Sequence, residues 1–467
     1  MKFENRVNEL NGTQWLKNAV NFWLFDNYNI FDICSRFKNF CYKDRTGSGV
    51  LENINKISEG KSDFSFSYVK NIDNAQSAIR NILNGAYNSY HIIYFESEII
   101  DGYFLCPFFT KNLDIEGIEF RGKFIISSEK NTRITYSLLF LNRVNKEIEV
   151  DLRNNLFKIE NNLDKPYIIE SKSKIDKIGL SHPAPYSYLD IKKICEIDNI
   201  KNKLVLDPFL GVGSTIIGTY ESNRNIGIEL NKKYIDLIFE RYDLLGLPEN
   251  IKTDNKIICG DSLIEIDNIN EKIDSVITSP PYFNILKNKS SGVRTDNSQS
   301  RQGVEYYSDS NDDIGNIDNY SIYLDTMKTL FKKIHAKMNK GGTVHLIISD
   351  FTVNKKEKDI HSDFVNALCE VGYAYKGTSY ILQNQKAIYP FGYPFKLVIN
   401  HIFQYIVRFE AIWWIRAKIK WLKNIKIDIT QANFLLVRLL LNLWVNIWIF
   451  NMIINLFWNH RLEDARL

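Results

Sequence analysis

The feature that most constrains the fold of this chain is an apolar strand that ends in an acidic residue and a glycine-rich turn. The strand Leu204-Val205-Leu206 runs directly into Asp207-Pro208-Phe209-Leu210-Gly211-Val212-Gly213-Ser214-Thr215, and a helix-like segment follows. Gly211 and Gly213 lack a Cβ, so the backbone N–H groups of the turn are open to close approach by a ligand. The pattern predicts the first strand, turn and helix of a doubly wound α/β sheet.

Alternation of strands and helices continues through the region 171–405. The pattern predicts strands at 203–206, 225–230, 256–259, 275–278 and 343–349, and helices near 215–221, 232–244, 320–338 and 362–371. Apolar strands that alternate with amphipathic helices are typical of a mostly parallel sheet with helices on both faces. We therefore expect one α/β domain over 171–405.

The second and third predicted strands each end at a carboxylate. Glu229 lies in Gly227-Ile228-Glu229-Leu230, where an acidic side chain suits the two ribose hydroxyls of an adenosine-containing cofactor. Asp261 follows the third strand in Gly260-Asp261-Ser262 and can accept a hydrogen bond from an adenine amino group. Any one of these turns could end an ordinary strand of any doubly wound sheet. Their order at consecutive strand ends favours a cofactor site.

The fourth predicted strand ends at Thr278-Ser279-Pro280-Pro281-Tyr282. Two successive prolines remove two backbone donors and leave the carbonyls of Ser279 and Pro280 as acceptors for an amino group. The Tyr282 ring offers a stacking face for a base rotated out of a duplex. The alternative is a merely rigid turn, but its place after a cofactor-type turn favours a binding role.

The rest of the chain differs from this α/β region in composition and in the pattern of apolar residues. We predict a packed N-terminal segment at 1–43, a β-rich region at 44–170, and a helical, hydrophobic tail at 406–467 that holds six of the eight tryptophans. Phe434–Trp458 is almost long enough to span a bilayer, but Arg438 and several asparagines interrupt it, so a membrane partner is not expected. A packing or oligomerisation arm and a non-native reading of the gene end both stay open for the tail. We find no internal repeat in the sequence.

Composition excludes several classes of protein. A hydrophobic fraction of 45% excludes a mainly disordered chain, and 59 basic against 55 acidic residues leave a net charge of only +4. The six cysteines are scattered without a Cys/His cluster, which argues against a disulfide scaffold or a metal site and fits the reducing cytoplasm. No signal peptide is expected, because polar residues interrupt the first thirty positions.

Together these motifs resemble those of the S-adenosylmethionine-dependent amino-methyltransferases of DNA, which make N4-methylcytosine or N6-methyladenine. Ser181-His182-Pro183-Ala184-Pro185-Tyr186 is similar to the family motif that precedes the cofactor strand and helps to enclose the methionine end. The resemblance covers roughly 171–405 and the N-terminus. It implies a Rossmann-like methyltransferase core with a β-rich N-terminal insertion.

The family roles transfer to this sequence by matching position. The resemblance implies S-adenosylmethionine as cofactor, held by Pro185, Asp207, Phe209, Gly211, Gly213, Ser214, Glu229 and Asp261. It implies a base-binding and catalytic set of Ser279, Pro280, Pro281 and Tyr282, and methyl transfer by direct displacement without a covalent enzyme intermediate.

The resemblance also implies double-stranded DNA as substrate and, as a possible partner, a restriction endonuclease that acts on the same site. Ser279 in place of an aspartate tilts the preference toward cytosine N4 over adenine N6. Only a short segment separates Asp261 from Thr278, so the DNA-recognition module is expected in 44–170 or beyond 283. Three alternatives stay open: an adenine enzyme, an RNA or protein-amide methyltransferase, and an inactive DNA-binding homologue.

Overall fold

The computed structural model describes residues 22–25, 64–69, 71–83, 90–95, 99–100, 103–112, 118–128, 134–142, 157–159, 163–171, 175–182, 186–283, 313–353, 356–383 and 401–412. Its strands in the first third of the chain are β1 (Phe22–Phe25), β2 (Phe64–Val69), β3 (Tyr90–Phe95), β4 (Ile99–Ile100), β5 (Tyr103–Phe104), β6 (Ile118–Ser128), β7 (Ile134–Asn142) and β8 (Phe157–Lys158). The remaining strands are β9 (Ile168–Glu170), β10 (Leu204–Asp207), β11 (Arg224–Glu229), β12 (Asn255–Cys259), β13 (Ile273–Thr278), β14 (Met338–Ile348), β15 (Phe351–Val353), β16 (Lys356–Lys358), β17 (Tyr373–Leu382) and β18 (Phe403–Ala411).

The described α-helices lie between these strands. They are α1 (Ile72–Leu83), α2 (Leu105–Asn112), α3 (Tyr188–Ile197), α4 (Ser214–Thr219), α5 (Lys232–Leu244), α6 (Asn250–Asp254), α7 (Ser262–Glu265), α8 (Tyr320–Lys337) and α9 (Ile360–Val371). Side chains of the residues just before them cap several of these helices, as Asn231 does for α5 and Asn319 for α8. The helices and strands predicted in 203–371 are therefore confirmed, with small shifts at their ends.

The larger sheet has eight strands in the order β12-β11-β10-β13-β14-β18-β17-β9. The pairs from β12 to β14 are all parallel, β18 runs antiparallel to β14 and β17, and β9 is parallel to β17. The chain leaves β10 toward β11 on one side and returns to β13 on the other. Ligands bind at such a reversal of strand order, at the carboxyl ends of the strands. The predicted doubly wound, mostly parallel fold is confirmed.

The apolar sequences of the central strands explain their place in the core. Val205 and Leu206 of β10 and Val276 and Ile277 of β13 are fully buried, as parallel strands covered on both faces must be. Helices α3 and α4 contact each other beside this sheet, and α8 contacts α9. The core therefore holds the ends of β10, β11, β12 and β13 in fixed positions along one edge.

A second sheet of five strands, in the order β1-β6-β7-β3-β2, occupies the N-terminal part of the chain. Its β1 lies within the predicted segment 1–43 and its other strands within 44–170. At the other end, β18 continues to Ala411, so the boundary predicted at 405 falls inside a strand of the larger sheet. The two sheets belong to one compact unit, which extends to Ile412.

The predicted helical tail lies outside the described residues from Trp413 onward. Among the helices that the structure does describe, none is both long and apolar enough to cross a lipid bilayer.

Candidate active site

Asp207 ties together the turn that follows β10. One carboxylate oxygen accepts hydrogen bonds from Thr215 (2.5 Å) and Tyr186 (3.1 Å), and the other from Thr278 (2.6 Å) and the backbone N–H of Phe209 (3.0 Å). The side chain is 1% exposed, and its burial raises the pKa of the carboxyl. Asp207 thus joins the glycine turn to the end of β13 from behind, without facing the cleft.

Both glycines of the turn are required by its geometry. Gly211 has a φ of +54°, and a Cβ built there would lie 3.2 Å from Nε2 of His182. Gly213 has a φ of +82° and would place a Cβ 3.0 Å from the Ile238 side chain. Because L side chains rarely adopt these backbone angles, the turn strongly favours glycine at both positions. The result is a bare backbone surface at the start of α4.

Arg241 of α5 holds the outside of the same turn. Its fully buried guanidinium donates to the carbonyl of Val212 (2.8 Å) and to Oγ of Ser214 (3.0 Å), and it is paired with Asp176 at 2.7 Å. Although burial opposes ionisation, the hydrogen bonds from Arg241 hold the pKa of Asp176 below its usual value. The turn is therefore fixed by an ion pair as well as by glycine.

Carboxylates line the cleft at three strand or loop ends. Glu229 accepts hydrogen bonds from the backbone N–H groups of Gly211 (2.7 Å) and Asn231 (2.8 Å), while Asp261 accepts from Leu263 N–H at 2.9 Å. Burial is the main cause that raises the pKa of Glu229 to about 7; the charges of Asp207 and Asp313 act in the same direction, and the backbone hydrogen bonds from Asn231 and Gly211 oppose the shift. No Lys or Arg stands among the described residues that line this cleft. The wall is therefore complementary to a cation.

The cleft and the solvent at its mouth together occupy about 800 Å³, and the cleft brings together most of the predicted site residues. Those that line it are Phe209, Gly211, Ser214, Glu229, Asp261, Ser279, Pro280 and Pro281. Asp207 lies behind the wall, Gly213 caps α4, and Tyr282 lies beyond the lining. Pro185 lies outside the described residues.

Several lining or supporting residues are absent from the predicted set. His182 and Tyr186 line the cleft from the Ser181–Tyr186 motif, and Asp313 and Ile314 close it from a distant segment. Tyr186 shares its hydroxyl between Asp207 and Thr215, and burial raises its pKa well above 10. The motif around Pro185 could have indicated Tyr186, whereas Asp313 has no local sequence signal.

The turn after β13 also lines the cleft, through Ser279, Pro280 and Pro281. The carbonyl of Pro281 accepts a hydrogen bond from the Tyr323 hydroxyl at 3.0 Å, which fixes the second proline on α8. The half-buried ring of Tyr282 lies edge-on to Phe351, with centroids 6.2 Å apart, and its hydroxyl accepts from Gln404 at 3.3 Å. We call Tyr282, Phe351 and Gln404 the base wall below. Tyr282 directly follows Pro281, which lines the cleft.

A doubly wound sheet with a glycine turn, carboxylates at the next two strand ends and Ser-Pro-Pro-Tyr at the fourth defines a Rossmann-like methyltransferase domain. Residues 22–240 match the family described as DNA methylase, of the N6/N4 type. The match supports the family that the motifs resemble, and with it S-adenosylmethionine as the cofactor. It includes the N-terminal sheet and the glycine turn, and it ends before Ser279.

Two solved structures illustrate the likeness of fold. TrmN from Thermus thermophilus has 11% sequence identity and a TM-score of 0.30, and the match covers 62% of this chain and 59% of that chain. An S-adenosylmethionine-dependent methyltransferase from Clostridium acetobutylicum has 11% identity and a TM-score of 0.29, with 48% of this chain and 91% of that one covered. These TM-scores are low, so the assignment rests on the family match. None of the curated proteins compared matches this sequence.

Proposed function

We propose that this chain transfers a methyl group from S-adenosylmethionine to the exocyclic amino group of a base flipped out of duplex DNA, with cytosine N4 preferred over adenine N6. The observation that carries the proposal is one cleft lined both by the glycine turn, Glu229 and Asp261 and by Ser279-Pro280-Pro281. We further propose a protective role beside a restriction endonuclease in the cytoplasm. Residues 44–170, or residues beyond 283, would read the DNA sequence.

The residues on the cofactor side fit S-adenosylmethionine. The bare backbone at Gly211 allows close approach, and the Glu229 and Asp261 carboxylates can accept hydrogen bonds from ribose hydroxyls and an adenine amino group. The acidic wall also suits the positive charge of a sulfonium and an α-amino group. When bound, the cofactor supplies an electrophilic methyl group.

The residues on the base side orient the nucleophile. Pro280 and Pro281 lack backbone N–H groups, so this turn presents carbonyls and the Ser279 side chain to an amino group that needs acceptors. Hydrogen bonds from the amino group to these acceptors hold its nitrogen lone pair toward the cofactor side of the cleft. Catalysis by this chain then consists of orientation and electrostatics.

The experiment that tests the proposal incubates purified protein with S-adenosylmethionine and mixed-sequence duplex DNA and identifies modified nucleosides by mass spectrometry. We expect N4-methyldeoxycytidine. N6-methyldeoxyadenosine would support the reaction and overturn the base preference. No methylated deoxynucleoside from protein that binds the cofactor would overturn DNA as substrate, and parallel incubations with RNA and protein would test the alternatives.

A further inference from the structure

The five-stranded N-terminal sheet repeats the topology of one half of the larger sheet. The series strand, helix, strand, short hairpin, helix, strand, strand occurs from β2 to β7 and again from β13 to β18. Neighbours β2-β3-β7-β6-β1 pair as parallel, antiparallel, antiparallel and parallel, and β13-β14-β18-β17-β9 pair in the same way. The repeated half is the one that carries the base wall.

A shared irregularity aligns the two copies residue by residue. Strand β6 has a bulge at Gly122, with a φ of 137°, and β17 has a bulge at Gly377, with a φ of 112°. From these glycines, Ile125 corresponds to Tyr380. Strand β1 meets β6 at Phe22 and Ile125, and β9 meets β17 at Ile168 and Tyr380, in the same register. Bulges are positioned features of a fold, so chance agreement is a poor explanation.

The first copy lacks the parts that would make it catalytic. Following the ladders from the bulge, Tyr68 and Val69 correspond to Ser279 and Pro280, and both still pair with β3. Among the described residues, β2 is an edge strand of its sheet. Strand β13, in contrast, pairs with β10, and the sheet continues to β11 and β12, whose ends carry Glu229 and Asp261. Among the described residues, this copy therefore has neither the double-proline turn nor strands equivalent to β10, β11 and β12.

The two copies dock through equivalent elements. Helix α2 corresponds to α9, and the two contact each other. Strands β5 and β6 of the first copy correspond to β16 and β17 of the second. Strand β6 contacts β16, and Phe104 of β5 packs on Tyr375 of β17 with ring centroids 5.6 Å apart. Reciprocal contacts of this kind characterise an isologous, two-fold interface. Here both sides of the interface belong to one chain.

A buried polar cluster crosses this interface, formed by Lys123 and Thr110 of the first copy with Asp350, Asp359, His361 and Tyr405 of the second. Lys123 Nζ lies 2.7 Å from Asp359 and 3.2 Å from Nδ1 of His361, and Thr110 donates to Asp359 at 3.1 Å. The Tyr405 hydroxyl donates to Asp350 at 2.6 Å, and Lys123 Nζ lies 5.5 Å from the centre of the Tyr405 ring. The cluster is thus one connected unit.

Two residues of the cluster are adjacent in sequence to two residues of the base wall. Asp350 immediately precedes Phe351, and Tyr405 immediately follows Gln404, the two residues that contact Tyr282. We propose that the first copy is a catalytically silent half, docked in cis, whose Lys123 is a positioning residue for the base wall of the working half. This inference rests on the proposed function, since it assigns a role within the same site.

The test compares Lys123→Met with Arg121→Met, a control that removes a buried cation from the same strand. We expect Lys123→Met to lower methyl transfer into duplex DNA about tenfold or more at saturating S-adenosylmethionine, because the base wall loses its alignment. Its Kd for S-adenosylmethionine should stay within about twofold of wild type, since the glycine turn lies on the other half of the sheet. The milder variant Thr110→Val should also lower methyl transfer, and it replaces Lys123→Met in the test if that variant folds poorly.

Two measurements do not depend on activity. Hydrogen exchange at 350–353 and 403–406 should be faster in Lys123→Met and unchanged in Arg121→Met. Calorimetry should give one S-adenosylmethionine per chain, and two would overturn the silent copy. Wild-type transfer and wild-type exchange in both Lys123→Met and Thr110→Val would overturn the positioning role while leaving the proposed function intact. A wild-type chain that methylates nothing would contradict the proposed function alone, with exchange and stoichiometry still deciding this inference.

Discussion

At the scale of single residues, the site separates groups that face the cleft from groups that hold them. Glu229 and Asp261 face it, whereas Asp207 is enclosed by hydrogen bonds from Thr215 and Thr278. A carboxylate with every lone pair engaged fixes backbone geometry, while one with a free edge can receive a ligand. This difference in role is invisible in the sequence, where all three are acidic residues at strand ends.

The ionisation of Glu229 should control cofactor affinity. Its pKa of about 7 lies above the ordinary 4.5, so the carboxyl becomes protonated and loses an acceptor as pH falls through 7. We expect the Kd for S-adenosylmethionine to rise toward the limit of about tenfold per pH unit below pH 7, measured by calorimetry between pH 5.5 and 8.5. Glu229→Gln should bind weakly with no such pH dependence.

The same shift carries a cost in stability. Because the folded pKa lies above the unfolded one, the contribution of this group is full below pH 4.5 and is lost as pH rises to 7. The cofactor-free protein should lose up to about 3 kcal/mol from this residue over that range. In the calorimetric titration, a wild-type Kd for S-adenosylmethionine that does not change with pH would contradict the assignment of Glu229 to the cofactor.

Tyr282 and Asp261 should affect different steps. Tyr282→Ala should lower methyl transfer by about a hundredfold with little change in cofactor Kd, because the base loses its stacking surface. Asp261→Asn keeps a helix-capping side chain and should raise the cofactor Kd about tenfold, because it loses a charged acceptor. Radiolabelled transfer and calorimetry measure the two steps. Tyr282→Phe, which keeps the ring, is the matched control, and full activity in both Tyr282→Ala and Asp261→Asn would refute the site.

At the scale of elements, the glycine turn depends on a helix distant in sequence. Strand β10 and helix α4 supply the turn, and α5 supplies the guanidinium that bonds the Val212 carbonyl and Ser214. Helix α5 has the mixed pattern of a half-exposed surface helix. Arg241 lies three residues after the buried Ile238, but arginine is rarely fully buried, so the support of the turn by Arg241 could not be predicted from the residue type.

Removal of this arginine should destabilise the whole domain. Arg241→Met leaves Asp176 without its partner at the turn, and breaking such a buried pair costs about 3–5 kcal/mol. Thermal unfolding monitored by circular dichroism should show a Tm lower by roughly 4–6 degrees, because the unfolding entropy of a unit of this size is large. Lys252→Met removes a solvent-exposed pair with Asp243 and should leave the Tm nearly unchanged, because solvent screens such a pair. Equal Tm values in the two variants would show that Arg241 has no special role.

At the scale of the whole molecule, local sequence patterns predict the larger sheet well and the N-terminal sheet poorly. Apolar strands that end in Asp207, Glu229, Asp261 and Thr278 are local signals, because strand periodicity and turn chemistry are both short-range. Asp313 reaches the cleft from far along the chain, and its place depends on tertiary packing. The repeated half is hidden because the two copies share topology and a bulge glycine rather than a recognisable motif.

The docking of the first copy on the second has a consequence for how the protein responds to dilution. In a two-chain assembly the fraction of paired subunits falls as the concentration drops below the dissociation constant. Within one polypeptide the partner is present at a fixed effective concentration, which the connecting segment sets. The geometry around Tyr282 is then a property of each molecule, and we expect specific activity to be independent of protein concentration.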